Sequence, residues 1–130
     1  MSIRIKTSEE IETLRVAGRL AAEVLEMIEP YVIAGVTTEE LDRICHDYMV
    51  DVQGVIPAPL NYKGFPKSIC TSVNAEVVHG IPGDRVLEPG DALDRRLAVV
   101  GAEEDRVPVE ELVAAAGPVV AWRVDPLREP

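Results

Sequence analysis

Residues 61–82 read NYKGFPKSICTSVNAEVVHGIP, and this stretch decides how the rest of the chain is read. Gly64 and Pro66 punctuate a loop that carries Tyr62 and Phe65. Residues 67–73 then alternate, with Ile69, Thr71 and Val73 on one side and Ser68, Cys70 and Ser72 on the other, as in an extended strand. Residues 75–79 read as a second strand, ended by the turn residues Gly80, Ile81, Pro82, Gly83 and Asp84. His79 thus falls at a strand end next to a glycine, at the rim of a sheet. There a stiff support holds a side chain whose tip reaches solvent.

Upstream, two helices are expected. Thr7-Ser8-Glu9-Glu10 is a capping box, in which the Thr7 hydroxyl accepts from the third amide and Glu10 reaches back. Ile11, Leu14, Ala17, Ala21, Val24, Leu25 and Ile28 follow at helical spacing, with Glu12, Arg15, Arg19, Glu23 and Glu26 mainly opposite. Pro30 ends this helix near Glu29, because proline disfavours helix at the residue before it. Thr37-Thr38-Glu39-Glu40 repeats the capping device after Gly35, and Leu41, Ile44, Cys45, Tyr48 and Met49 form the next buried stripe, ending around Gln53-Gly54. His46, beside Asp47, reads as a surface residue. Residues 55–66, rich in proline and glycine, read as an ordered loop rather than an element.

Downstream, residues 87–91 (LEPGD) form a turn that launches another strand. The character of the chain then changes. From Ala92 to Pro130 only Ala, Val, Leu, Gly, Pro, Arg, Asp, Glu and Trp122 occur. Residues 97–101 and 119–124 read as strands and 109–116 as a short helix stopped by Gly117. The division is therefore 1–91 and a tail of unlike composition, 92–130. Glu103, Glu104 and Asp105 form the only dense acidic triplet and read as a solvated face. The tail offers no metal-ligand cluster, no nucleophile with a base and no phosphate loop.

Composition narrows the function further. A chain of 130 residues, 47% apolar, fits one small domain. Thirteen basic against 23 acidic residues give a net charge of −10, the wrong sign for nucleic-acid partners. No apolar run approaches the length of about 18 residues that a membrane span needs, and the N-terminus is no signal peptide. Two cysteines without framework spacing, Cys45 and Cys70, point to free thiols in a reducing cytoplasm. Cys45 reads as core.

The first 91 residues closely resemble the amino-terminal part of the type I methionine aminopeptidases. The resemblance rests on RVAGRLAAEVLEMIEPYV, TTEELDRICHDYMV, NYKGFPKSICTSVN and HGIP, taken in order and at their spacing. It implies a "pita-bread" architecture of two related halves, of which this chain supplies one: an α+β fold with two helices on a small antiparallel sheet. It implies removal of initiator Met by two divalent metal ions (Co, Mn, Fe or Zn), which polarise the scissile carbonyl and make hydroxide available near neutral pH. His79 matches the histidine that contacts substrate near the scissile amide and is not a metal ligand. Tyr62, Phe65 and Cys70 match the pocket for the Met side chain. Pro59 falls where some members have a pocket Cys.

The chain also departs from that pattern. Where the family continues through a strand of the type I-x-N-I-D, whose Asp is the first metal ligand, this chain reads Ala-Leu-Asp-Arg-Arg-Leu. Arg96 stands about where that Asp belongs, and Asp94 is two residues early. The remaining ligands are absent, so no metal ligand is assigned and neither ion is expected to bind tightly. The expectation is a truncated aminopeptidase, inactive alone, whose abrupt change at Ala92 suits a frame change or fusion. The alternatives are a non-catalytic module that binds N-terminal Met or pairs with another chain, and a complete enzyme of other chemistry, for which no constellation is found. An uncovered sheet is expected to cause self-association.

Overall fold

The computed structural model describes residues 5–96, 99–100 and 120–124. The first helix, α1, spans Ser8–Ile28 and begins at the capping box the sequence announces: the Glu10 amide donates to Thr7 Oγ1 at 3.2 Å and the Thr7 amide to Glu10 Oε2 at 2.7 Å. Its last three turns bury Ala17, Ala21, Val24, Leu25 and Ile28, while its first turns stay exposed. Pro30 ends it in a short 3₁₀ turn, Glu29–Tyr31.

The second helix, α2, spans Thr38–Asp47 and is capped by Thr37, whose hydroxyl accepts from the Glu40 amide at 3.1 Å. Leu41, Cys45 and Met49 are buried, with Ile44 and Tyr48 partly so. A wider π turn, Tyr48–Val52, continues it to Gln53, and Gly54 leaves at a φ of 65° that glycine accepts without strain. Gln53 Nε2 donates to the Leu20 carbonyl at 2.9 Å, tying the end of this turn to α1.

Two antiparallel pairings complete the fold. A three-stranded sheet has the order β2-β3-β5, with β2 Cys70–Val73, β3 Ala92–Arg96 and β5 Val120–Arg123. A separate pair joins β1, Ile56–Pro57, to β4, Val99–Val100. The hydrophobic core lies between the helices and the sheet: Val24, Ile28, Leu41, Met49, Ile69, Leu87, Leu93 and Val124 are all essentially inaccessible. This is the expected α+β arrangement of two helices and a small antiparallel sheet.

Three local expectations are corrected. Residues 75–79 are not a strand. Asn74 turns the chain at a φ of 54°, and the segment then runs as an irregular loop whose Gly80 carbonyl takes one bond from Thr71. Val77 and Val78 have strand-like side chains, but at 84% and 45% exposure they have no sheet face to pack on. The alternation at residues 67–73 separates no wet face from a dry one either, since all four residues of β2 are buried. Residues 55–66 do hold regular pieces, namely β1 and a 3₁₀ turn at Tyr62–Gly64. Within the stretches 97–101 and 119–124, read as strands, the described residues form β4 at Val99–Val100 and β5 at Val120–Arg123; the rest of 97–101, the helix at 109–116 and the acidic triplet lie outside the described residues.

Candidate functional site

Pro59, Tyr62 and Phe65 share one tight loop. The Tyr62 amide donates to the Pro59 carbonyl at 3.0 Å, the Phe65 amide to Tyr62 at 2.9 Å, and the Asn61 amide to Phe65 at 2.9 Å. To turn this sharply the chain uses the left-handed region at Asn61, Lys63 and Gly64, with φ of 65°, 47° and 81°. Such strain persists only where surrounding structure enforces it, and it gathers at functional sites. Tyr62 and Phe65 are half-buried, and the Lys63 ammonium stands 5.5 Å from the Tyr62 ring centroid.

Beyond Phe65, the chain enters β2 at Cys70, which is buried and paired in register with Arg96 of β3. Its neighbour Thr71 holds the second group. The Thr71 amide donates to the Gly80 carbonyl at 2.8 Å, and the Gly80 amide donates to Ser72 Oγ at 3.1 Å. Glu76 turns back to accept the outward-facing Val73 amide at 3.3 Å. The loop 74–80 thus closes the free edge of β2, and His79 is exposed on it, one residue before the Gly80 that bonds Thr71. His79 itself sits at a φ of 58°, a conformation that costs an L-residue about 1 kcal/mol. Thr71 Oγ1 is buried without a hydrogen-bond partner at the foot of this loop.

Both ends of the His79 loop are pinned. At its stem Asp91 accepts from Asn74 Nδ2 at 2.8 Å, from the Glu88 amide at 2.9 Å and from Arg85 at 3.1 Å. Asn74 Oδ1 accepts the Ala92 amide in return, at 3.0 Å. The Glu88 amide, with Asn74 and Arg85, holds the Asp91 carboxyl below the usual carboxylate range. Beyond His79, the Gly83 amide donates to Thr38 Oγ1 at 2.9 Å while the Glu39 amide donates to the Gly83 carbonyl at 2.9 Å.

The segment between the two groups is held by α2. Asp42 Oδ1 accepts both the Ser68 amide, at 2.8 Å, and the Ile69 amide, at 3.0 Å. His46 Nδ1 lies 2.7 Å from Ser68 Oγ, so this histidine is half-buried against the site segment rather than a surface residue. Lys67 pairs with Glu39, which holds its ammonium above the ordinary lysine range. Burial raises the Asp42 carboxyl, against the lowering effect of the two amides, Lys67 and His46. Asp42 and Thr38 carry no motif of their own, and sequence reasoning passed over them as site residues. Their only signal is the spacing Thr38, Asp42, His46, one helical face.

The five residues singled out therefore fall into two neighbourhoods: Pro59, Tyr62 and Phe65 in one loop, and Cys70 and His79, whose chain neighbours Thr71 and Gly80 share a backbone hydrogen bond. Among the described residues no group of three or more His, Cys, Asp or Glu side chains is placed to hold a metal ion. Asp91, just before β3, already has both oxygens engaged. In register, Asp94 stands opposite Ser72 and Arg96 opposite Cys70. The described donors do not fit a pair of metal ions. No described helix is long and apolar enough to cross a membrane.

The sequence profile described as "Metallopeptidase family M24" matches residues 12–99. A methionine aminopeptidase of Salmonella typhimurium is 60% identical over 104 residues, which are 79% of this chain and 39% of that protein. One of Escherichia coli is 58% identical over 101 residues, covering 77% of this chain and 38% of the relative. The crystal structure of the Rickettsia prowazekii methionine aminopeptidase superposes with a TM-score of 0.73 at 47% identity, over 77% of this chain and 40% of that one. That of Thermotoga maritima gives 0.76 at 26% identity, over 98% and 47%. The chain spans about two-fifths of the length of the curated relatives it matches.

Proposed function

The chain belongs to metallopeptidase family M24, a family of metal-using enzymes, and we propose that it carries the peptide-recognition side of a methionine aminopeptidase. The observation that supports this reading is the hydrogen bond from Thr71, next to Cys70, to Gly80, next to His79, in a text 58–60% identical to such enzymes. In this reading Tyr62, Phe65, Cys70 and Pro59 line a pocket for the side chain of an N-terminal Met. The exposed His79 imidazole gives or takes a hydrogen bond at the scissile amide. The chain acts in the cytoplasm with both thiols reduced. The change of composition at Ala92 marks a boundary of sequence character inside a single sheet.

Hydrolysis needs more than this. The metal ions of the family (Co, Mn, Fe or Zn) supply a polarised carbonyl and a hydroxide near neutral pH. The described residues provide recognition and no ligand set, so the chain alone is expected to bind peptide weakly and to release no Met. Assay of Met-Ala-Ser peptides with added Co²⁺, Mn²⁺ or Fe²⁺ tests this. Turnover that tracks the metal and disappears in His79→Ala would overturn the inactive assignment, and micromolar peptide affinity by calorimetry would favour a stand-alone binding module.

Val77, Val78, Ile81 and Val86 favour a further contact, since they leave apolar surface 45–84% exposed on the His79 loop and just after it. The chain is expected to self-associate through it. A monodisperse monomer in analytical ultracentrifugation counts against that.

A further inference from the structure

Helix α2 holds the segment entering Cys70 and the segment leaving His79 with one face. Thr38, Asp42 and His46 recur every four residues, beside the core stripe of Leu41, Cys45 and Met49. Thr38 Oγ1 exchanges hydrogen bonds with both backbone groups of Gly83, at 2.9 Å and 3.1 Å, four residues after His79. Asp42 Oδ1 takes the amides of Ser68 and Ile69, immediately before Cys70. His46 meets the Ser68 hydroxyl. Thr38 and Asp42 are both buried, which makes each of these bonds costly to leave unmade. Irregular segments on either side are thus registered to one rigid helix and, through it, to each other.

We propose that Thr38 and Asp42 are positioning residues that set the spacing between the Cys70 wall and the His79 loop, α2 serving as the bracket. The inference rests on the peptide-recognition reading for its purpose but not for its test. Neither residue touches the peptide; each acts through backbone groups of the site segments. A carboxylate suits the Asp42 position because one acceptor with several lone pairs can bind two successive amides, which no single backbone carbonyl of the helix is free to do.

The two cysteines provide a readout that separates positioning from general stability. Cys45 is on α2 in the core, and Cys70 is on the bracketed segment. In Asp42→Ala, thiol labelling of Cys70 is expected to quicken by about tenfold or more while Cys45 keeps its protection. Asp42→Asn retains an acceptor oxygen and is expected to restore most of the Cys70 protection. In Thr38→Val, Cys70 stays protected while the His79 ring resonances move. Both weakened variants are expected to lose the chemical-shift response of the full chain to a Met-Ala-Ser peptide. Equal acceleration at both cysteines would overturn the bracket, since it would mean plain destabilisation; so would unchanged Cys70 labelling in Asp42→Ala. If the unsubstituted chain shows no response to peptide, the recognition reading fails, and the labelling pattern still decides the bracket.

Discussion

Gly80 lies against the backbone of Thr71 so closely that a Cβ built on it would stand 1.8 Å from the Thr71 carbonyl oxygen and 2.5 Å from Glu76 Oε2. No side chain fits there. The glycine after His79 is therefore needed for approach and not for its φ, since position 80 has no positive φ. The contact lets one loop close the edge of β2 with a single pair of bonds, with His79 as the residue before the contact.

Gly80→Ala is accordingly expected to push the His79 loop off the strand. Its cost is about 2 kcal/mol or more, because the nearest atom is backbone and cannot rotate away. Urea denaturation measures the loss, and the Thr71 amide should lose its slow hydrogen exchange. A variant with unchanged midpoint and exchange would show the approach to be looser than described.

His79 occupies a left-handed conformation that glycine adopts freely. His79→Gly is expected to stabilise the chain by about 1 kcal/mol while removing the imidazole. Stability gained at the residue assigned to substrate contact would mean that the histidine is kept against a conformational cost. A destabilised His79→Gly variant would instead assign the ring a packing role.

Asp42 and Asp91 bend the pH dependence of stability in opposite senses. Burial raises Asp42 above the ordinary 3.8, so its stabilising contribution is greatest below that pH and falls as pH rises through its folded value. The Glu88 amide, Asn74 and Arg85 lower Asp91, so its contribution is complete above 3.8 and is lost as pH falls through its folded value. Asp91→Asn should lose less stability than the unsubstituted chain between about pH 5 and about pH 2, whereas Asp42→Asn should lose more. Denaturant midpoints across that range give both slopes.

Truncating Asp91 to alanine leaves Arg85, Asn74 Nδ2 and the Glu88 amide without their acceptor. A loss of about 2–3 kcal/mol is expected, concentrated at the stem of the His79 loop. Amide exchange at Glu88 and Ala92 should quicken before that of the α1 core.

Much of the fold was legible locally. Both capping threonines, the Pro30 stop, the stripes ending in Ile28 and Met49, and the turn before β3 were read from residues within a few positions of one another. The candidate site was legible only as text. Its words named His79, Tyr62, Phe65, Cys70 and Pro59, but strand-like valines at 77 and 78 concealed a loop. The reason is that Asn74 reverses the chain and Gly80 takes the edge bond a strand would have shared.

By itself the sequence determined where helices begin and end, because caps, proline and apolar spacing act over a turn or two of chain. Tertiary structure alone decided that Asp42 faces inward to Ser68, 26 residues away, that His46 is no surface group, and that Asp91 holds the stem of a loop. A carboxylate on a helix has the same local pattern whether it meets water or two amides. Only the packing of α2 against the segment entering β2 distinguishes the two.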